Sequence, residues 1–142
     1  MKVSAKTEYA CIAMIELAGS YGSGEPVRIG KIAQQHGIPS RFLVQILLQL
    51  KGAGLVSSTR GSSGGYQLSK LPGEITLAQV MTVIEGHEER LTSAAAGASA
   101  SADALLSVWQ EITDIEREKL DAVTLADLVE RAAAGQSDMY YI

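Results

Sequence analysis

The segment from residue 26 to residue 66 constrains the fold more than any other part of the chain. Two short amphipathic stretches on either side of Gly37 are followed by a β-rich run, a glycine cluster from Gly61 to Gly65, and a second β-rich run. Two short helices joined by a tight turn and followed by a hairpin are the order of a winged helix-turn-helix, which lays its second helix in the major groove of DNA. The sequence therefore predicts a mainly α-helical fold with a small β-wing.

Capping residues predict two further helices around this segment. Ser4 has the side chain preferred at a helix N-cap, and the stripe that follows it repeats at helical spacing through Leu17. Thr76 is expected to cap another helix, which Gly86 closes. These helices complete a domain that we expect to span residues 1–86.

The rear of the chain predicts a separate helical unit. Residues 92–102 consist almost entirely of Ala, Ser and Gly, which is typical of a mobile linker, and we assign the linker to residues 87–102. Helices are expected at residues 103–135, the last of them ending at Gly135, with a tail at 136–142. The first of these rear helices carries a coiled-coil-like apolar stripe of Leu105, Val108, Trp109, Ile112 and Ile115.

This stripe has two interpretations. Such a stripe often packs on its own domain, but here the linker separates the helix from that domain, and an amphipathic helix must bury its apolar face somewhere. A two-fold dimer would bury the stripe and would place two reading helices about 34 Å apart on a palindromic site. We therefore predict that residues 103–135 form dimerisation helices.

Charge is distributed unevenly along the chain. The net charge is −4, which by itself argues against binding nucleic acid. However, eight Lys and Arg against four acidic residues give residues 1–75 a charge of +4, whereas four against twelve give residues 76–142 a charge of −8. Because charges are screened over about 8 Å at physiological salt, the front half can attract phosphate on its own.

The basic front half supplies the candidate DNA contacts. Arg41 and Gln45 lie on the outward side of the second helix of the motif, where such side chains reach guanine and adenine edges. Arg60 at the wing tip is followed by glycines that permit close approach to a phosphate or the minor groove. The alternative is that these are ordinary solvated polar residues. The residues predicted to contact DNA are Lys6, Arg28, Ser40, Arg41, Gln45, Arg60, Gly61 and Tyr66.

Catalytic and metal-binding patterns are weak. The single cysteine, Cys11, lies in an apolar helical segment, where cysteine usually acts as a small buried hydrophobe, and it permits no intrachain disulfide. No Cys or His pair has metal-ligand spacing, and the glycine cluster lacks the Lys-Ser/Thr of a phosphate-binding loop. Because we find no signal peptide and no apolar run of membrane length, we expect a cytoplasmic protein. Because the catalytic and metal-binding patterns are weak, we also expect that it is not an enzyme and binds no cofactor.

The front half resembles the Rrf-two family of winged-helix transcription regulators. The motifs that carry the resemblance are Met1-Lys2-Val3-Ser4, Ala53-Gly54-Leu55-Val56, Arg60-Gly61, Gly64-Gly65-Tyr66-Gln67-Leu68, Ile75-Thr76 and Ile84-Glu85-Gly86. In sensor members, three cysteines in the loop before the long helix hold an iron–sulfur cluster. The matching loop here, residues 86–102, contains no cysteine, which rules out a cluster ligated in that manner. The rear half resembles the cluster-free branch, the cysteine-metabolism repressors, at Val108-Trp109, Thr124-Leu125, Asp127-Leu128 and Met139-Tyr140-Tyr141-Ile142.

The resemblance extends to the last residues. In that branch the resemblance implies a complex with a cysteine-synthesising enzyme, O-acetylserine thiol-lyase, and here Met139, Tyr140, Tyr141 and Ile142 would form the contact. A site for a small amino acid can capture a terminal carboxylate, although the same tail can instead pack on its own dimer. The family usually places Gly-Arg where this chain has Thr7-Glu8, which removes a phosphate contact.

Two functions follow from these observations. The first is a homodimeric repressor that binds palindromic operators of cysteine or sulfur genes. The second is an interaction partner of a metabolic enzyme that has weak or lost DNA binding, which Glu8 and the acidic rear half favour.

Overall fold

The computed structural model of the protein describes residues 1–86 and 96–140. Within these ranges the chain forms α-helices, one antiparallel β-hairpin and a short 3-10 turn. The elements are α1 (Ala5–Gly19), α2 (Ile29–His36), α3 (Ser40–Gly52), β1 (Val56–Thr59), β2 (Gly65–Leu68), the 3-10 turn (Pro72–Glu74), α4 (Leu77–Glu85), α5 (Ala100–Ala122) and α6 (Leu125–Tyr140). None of the described helices is long and apolar enough to cross a membrane.

Side-chain caps begin α1 and α4 where the sequence predicts them. The Thr7 amide donates to Ser4 Oγ over 3.2 Å, which satisfies one of the unpaired amides of the first turn of α1. At the start of α4, the Gln79 amide donates to Thr76 Oγ1 and the Thr76 amide donates to Gln79 Oε1. This reciprocal capping box fixes the first turn of α4.

A tight turn at Gly37 joins α2 to α3. Gly37 has a left-handed backbone with φ 64° and ψ 31°, a conformation that glycine adopts without steric cost. The Ile38 amide donates to the Ala33 carbonyl over 3.1 Å, and the Ile38 side chain is buried beneath the turn. The inner faces of the two helices are fully buried and consist of Ile32, Leu43, Ile46, Leu47 and Leu50. The predicted helix-turn-helix is confirmed.

The wing is a hairpin with a third segment added at its edge. β1 and β2 pair antiparallel, with Val56 opposite Leu68 and Thr59 opposite Gly65. On the other side of β2, Val27 and Tyr66 exchange two backbone hydrogen bonds of 2.8 Å. Since Val27 precedes α2, this bridge attaches the start of the helix-turn-helix to the wing.

α6 belongs to the core of the front domain. Leu125, its first residue, is fully buried in the core cluster, Leu128 and Val129 pack against that cluster, and α6 contacts α1 and the 3-10 turn. The Leu77 amide donates to the Val123 carbonyl, and the Leu125 amide donates to the Ile75 carbonyl. Of the two helices in the predicted dimerisation segment 103–135, therefore, the second packs on its own protomer. Leu125 is buried because these backbone links hold the start of α6 beside the start of α4.

Two predicted helix ends differ from the structure. α5 begins at Ala100, three residues before Asp103, because Ser99 accepts a hydrogen bond from the Ala102 amide and caps the helix earlier. α6 continues through Gly135 to Tyr140, so Gly135 does not end it. A glycine inside a helix costs only about 1 kcal/mol relative to Ala, which the flanking turns can offset. Met139 and Tyr140 therefore have helical backbone, whereas Tyr141 and Ile142 lie outside the described residues.

Candidate nucleic-acid interface

The outer face of α3 is exposed along its whole length. Because successive helical residues are rotated by about 100°, Arg41, Gln45 and Leu48 lie opposite the buried side of the helix, and all three are exposed. Ser40 is the first residue of the helix and is also exposed. No Asp or Glu occurs between Ser40 and Gly52. The predicted reading residues therefore share an uncovered face without a carboxylate on the same helix.

An aromatic side chain supports Arg41. The Arg41 guanidinium carbon lies 5.1 Å from the centre of the Phe42 ring, and that ring lies 6.1 Å from the ring of Tyr9 on α1. The structure buries Leu43 on the inner face of α3, while Phe42 remains exposed. A cation over an aromatic face gains roughly 0.5–1 kcal/mol at exposed sites, which favours this position for the Arg41 head.

The tip of the wing requires glycine at two adjacent positions. A Cβ at Gly64 would overlap the Thr59 carbonyl oxygen, and a Cβ at Gly65 would lie 2.5 Å from the Val27 carbonyl oxygen. Gly61 has φ 105°, and its carbonyl accepts a hydrogen bond from the Gly64 amide over 3.0 Å. These constraints close a tight turn directly after Arg60, which is exposed at the tip.

A groove between α2 and the wing contains two of the four predicted cations, Arg28 and Arg60. Arg28, Arg60, Gly61 and Tyr66 line it together, as the bridge between Val27 and Tyr66 requires. Lys31 also lines this groove, and the prediction missed it. Its spacing of three residues from Arg28 could have revealed it, because such residues share one helix face. The groove lining includes three cations and no carboxylate, so its local potential favours phosphate.

A hydrogen bond links the end of α3 to the wing. Lys51 Nζ donates to Ser58 Oγ over 2.7 Å, which joins the last turn of α3 to β1. The sequence prediction did not include this contact, because Lys51 and Ser58 come together only in the folded chain. The contact helps to fix the spacing between the reading helix and the wing.

The start of α1 has a structural role that the sequence did not indicate. Thr7 is fully buried; its hydroxyl donates to Glu85 Oε1 over 2.7 Å and accepts from Ser4 Oγ over 3.0 Å. Glu8 is exposed, so a carboxylate faces solvent where the family resemblance implies an arginine. Lys6, partly buried on the first turn of α1, does not line the groove between α2 and the wing.

Cys11 is a partly buried thiol on α1. Burial raises the pKa of Cys11 to about 11, and the nearby Glu85 carboxylate adds to the effect. The thiol therefore stays protonated near neutral pH and is a poor nucleophile and a poor metal ligand. Among residues 1–86 and 96–140, no group of three His, Cys, Asp or Glu side chains could hold a metal ion.

α5 presents an apolar face that its own protomer leaves uncovered. Leu105, Val108, Trp109, Ile112 and Ile115 are each between 47 and 66 % exposed. The partly buried residues of α5, such as Leu106 and Leu120, lie on a neighbouring face of the helix. α5 therefore contacts its own domain with one face, mainly at α4, and leaves the stripe free for another surface.

Comparison with known proteins places this geometry in a family. The family model described as "Rrf2: Iron-dependent Transcriptional regulator" matches residues 3–131. The chain belongs to the Rrf2 family. The transcriptional regulator CymR of Bacillus subtilis is 36% identical over 143 residues and is matched along the full length of both chains. The resemblance found in the sequence is thus confirmed, and the chain is a DNA-binding transcriptional regulator of the Rrf2 family.

Solved structures of Rrf2 proteins share the fold. The structure titled "T. potens IscR" superposes with a TM-score of 0.78 at 34% identity and covers 96% of this chain and 91% of that one. The structure of CymR, described as the global cysteine regulator of B. subtilis, superposes with a TM-score of 0.76 at 34% identity, covering 92% of this chain and 98% of that one. The predicted winged helix-turn-helix class is therefore confirmed.

The iron dependence in the family description does not fit the thiols of this chain. Iron–sulfur clusters are held by several cysteine thiolates, whereas this chain has one cysteine, which lies within α1. Cys11 is also partly buried and has a raised pKa. A cluster ligated by thiolates of one chain therefore lacks its ligands here.

Proposed function

We propose that this Rrf2 regulator is a homodimeric repressor that binds palindromic operators in genes of cysteine or sulfur metabolism. The observation that carries the DNA-binding surface is the groove lined by Arg28, Lys31 and Arg60, which contains no carboxylate. The exposed face of α3, which also lacks a carboxylate, supports the same surface. In this arrangement the cations of the groove bind phosphates, while Arg41 and Gln45 contact base edges. Binding DNA would place the protein in the cytoplasm.

The dimer rests on the exposed stripe of α5. Pairing two such stripes about a two-fold axis would remove five large apolar side chains per protomer from water. Two-fold symmetry in the protein requires a matching symmetry in its operator, with half-sites about 34 Å apart. The stripe of Leu105, Val108, Trp109, Ile112 and Ile115 therefore supports both the dimer and the palindrome.

The regulated genes are inferred from a relative. CymR, named as the global cysteine regulator of B. subtilis, aligns with this chain from end to end. Both proteins would then act on genes of related metabolism. Mobility-shift assays with promoters of cysteine and sulfur genes, and with unrelated promoters at the same salt concentration, test this assignment. Equal affinity for both sets would contradict it.

Replacing Arg60 tests the DNA-binding surface. Arg60→Ala is expected to weaken operator binding by roughly 1–3 kcal/mol and to lower the salt dependence by about one phosphate contact. Arg131→Ala is the matched control, because Arg131 is exposed on α6 among acidic residues. Binding by Arg60→Ala that matches the native protein across a salt titration would exclude the wing from the interface.

The second candidate is an interaction protein with weak DNA binding. The exposed Glu8 favours it, because a carboxylate at this position repels phosphate. Met139, Tyr140, Tyr141 and Ile142 would form the contact with an enzyme of the O-acetylserine thiol-lyase type. Deleting residues 139–142 should abolish co-purification of that enzyme while leaving operator binding unchanged. Retained co-purification would exclude the tail as the contact.

A further inference from the structure

Two apolar side chains on the exposed face of α3 are left largely uncovered by the described part of the protomer. Val44 is 43 % exposed and Leu48 is 56 % exposed, although the same helix buries Leu43, Ile46, Leu47 and Leu50 completely. The helix therefore already has a complete inner face, and Val44 and Leu48 lie outside it. Large aliphatic side chains in water gain stability only when another surface covers them.

The position of these side chains indicates what covers them. Val44 and Leu48 are four residues apart, so they form one short ridge on the outer face, next to Gln45. Arg41 lies one turn before that ridge, and Arg60 lies at the tip of the adjoining wing. An apolar ridge flanked by cations and free of carboxylates on its own helix suits the major groove, where apolar base atoms lie between two phosphate backbones.

Within the major groove, one base offers an apolar surface. Thymine carries a 5-methyl group there, which side chains such as Ala and the methyl of Thr contact, whereas cytosine presents an amino donor. An aliphatic side chain against that amino group would leave a polar group without a hydrogen bond, which is unfavourable. Val44 and Leu48 are about 6 Å apart along the helix axis, which is close to two steps of about 3.4 Å along a DNA strand.

We propose that Val44 and Leu48 are specificity residues that contact the methyl groups of two thymines in each operator half-site. This inference rests on the proposed DNA-binding function and extends it to the bases that the protein selects. Arg41 and Gln45 supply hydrogen bonds on the same face, and the two aliphatic side chains discriminate thymine from cytosine between those contacts. Neither Val44 nor Leu48 contributes to the buried core, so both can be changed without unfolding the domain.

The experiment removes single methyl groups from the DNA. The operator is first recovered by selection from random duplexes with the full chain. Each thymine of a half-site is then replaced, one at a time, by deoxyuridine, which differs only by the missing methyl, and Kd is measured by fluorescence anisotropy. Loss of one buried methyl is expected to weaken native binding about fourfold, from a contribution of about 0.8 kcal/mol per carbon.

The protein variants assign each methyl to a side chain. Val44→Ala should abolish the difference between thymine and deoxyuridine at one position, and Leu48→Ala should abolish it at a second. Leu71→Ala is the matched control, because Leu71 is a similarly exposed leucine in the segment before the 3-10 turn, outside the α3 face. It should keep the full methyl dependence at both positions.

The outcomes separate this inference from the function on which it rests. Specific binding that is insensitive to every methyl, or a methyl dependence that persists unchanged in both variants, overturns the thymine contacts but leaves the DNA-binding regulator intact. Failure of the native chain to select any duplex overturns the proposed function and this inference together.

Discussion

α5 and α6 follow one another in the chain and have similar apolar stripes, yet they end in opposite surroundings. Leu125 at the start of α6 is fully buried in the core, whereas Ile112 at the centre of the α5 stripe is half exposed. The backbone explains the difference, because the hydrogen bonds that flank Leu125 fasten the start of α6 to the start of α4. An amphipathic pattern therefore shows that a helix must be covered, but not which surface covers it.

The largest expected effect concerns the exposed stripe of α5. Ile112→Asp would bury two unpaired carboxylates at the centre of the proposed dimer, which should weaken self-association by at least about 3 kcal/mol, or more than a hundredfold. Sedimentation equilibrium measures this change. Ser107→Asp is the matched control, because it adds the same charge to an exposed position of α5 away from the stripe. Equal association of both variants would show that another face forms the dimer.

The core position of α6 predicts a loss of protomer stability. Leu125→Ala should lower the free energy of unfolding by about 2–5 kcal/mol, since it leaves a cavity where the side chain is fully buried. Leu105→Ala removes the same atoms from the exposed stripe and should change the free energy of unfolding by less than about 0.5 kcal/mol. Denaturant unfolding of both variants in the Ile112→Asp background excludes any contribution from dimerisation. A loss of less than about 1 kcal/mol for Leu125→Ala would show that α6 is not part of the core.

Removing the N-cap of α6 should lower global stability more than removing the N-cap of α5. Thr124 Oγ1 accepts a hydrogen bond from the Asp127 amide at the start of α6, and Ser99 Oγ accepts one from the Ala102 amide at the start of α5. Thr124→Ala should lower global stability by about 1 kcal/mol, because α6 unfolds with the core. Ser99→Ala should instead loosen only the first turn of α5. Hydrogen exchange distinguishes these outcomes, and equal global losses would contradict them.

The smallest expected effect is a pH dependence at the start of α6. The Thr124 amide donates to Asp127 Oδ2 over 3.0 Å, and this hydrogen bond is the main reason why the pKa of Asp127 is lowered below its usual value. A carboxyl whose pKa is lower in the folded state stabilises that state above the unfolded pKa of about 3.9, and the contribution disappears as pH falls through the folded value. The Tm difference between the native protein and Asp127→Asn should therefore shrink below about pH 4. A constant difference from pH 7 to pH 3 would exclude this contribution.

Local signals account for the parts of the fold that the sequence predicted well. Ser4 and Thr76 are capping residues and Gly37 has the residue type that a left-handed turn favours, so the limits of the first four helices follow from nearby residues. The sequence does not predict the packing of α6 on its own domain, because Leu125 meets Ile75 and α6 meets α1 only in the folded chain. The predicted helix end at Gly135 is wrong, because a glycine can also continue a helix.

The candidate site was predictable to a similar extent. Arg28, Arg60, Gly61 and Tyr66 were named from the motif, and the structure brings them into one groove. Lys31 joins them because it shares a helix face with Arg28. The exposure of Val44 and Leu48 was not apparent, because aliphatic residues in an amphipathic helix are assigned to its inner face until the packing is known.

The burial of Leu125 limits how this regulator can be divided. A fragment that stops after α4 would expose the apolar surface of α1 and of the segment around Ile75 that α6 normally covers. The folded front domain is therefore encoded by two stretches of sequence, residues 1–86 and α6, and α5 lies between them in the chain. Chimaeras that replace α5 with another helix would need two splice points, one before α5 and one after it, so that α6 is retained.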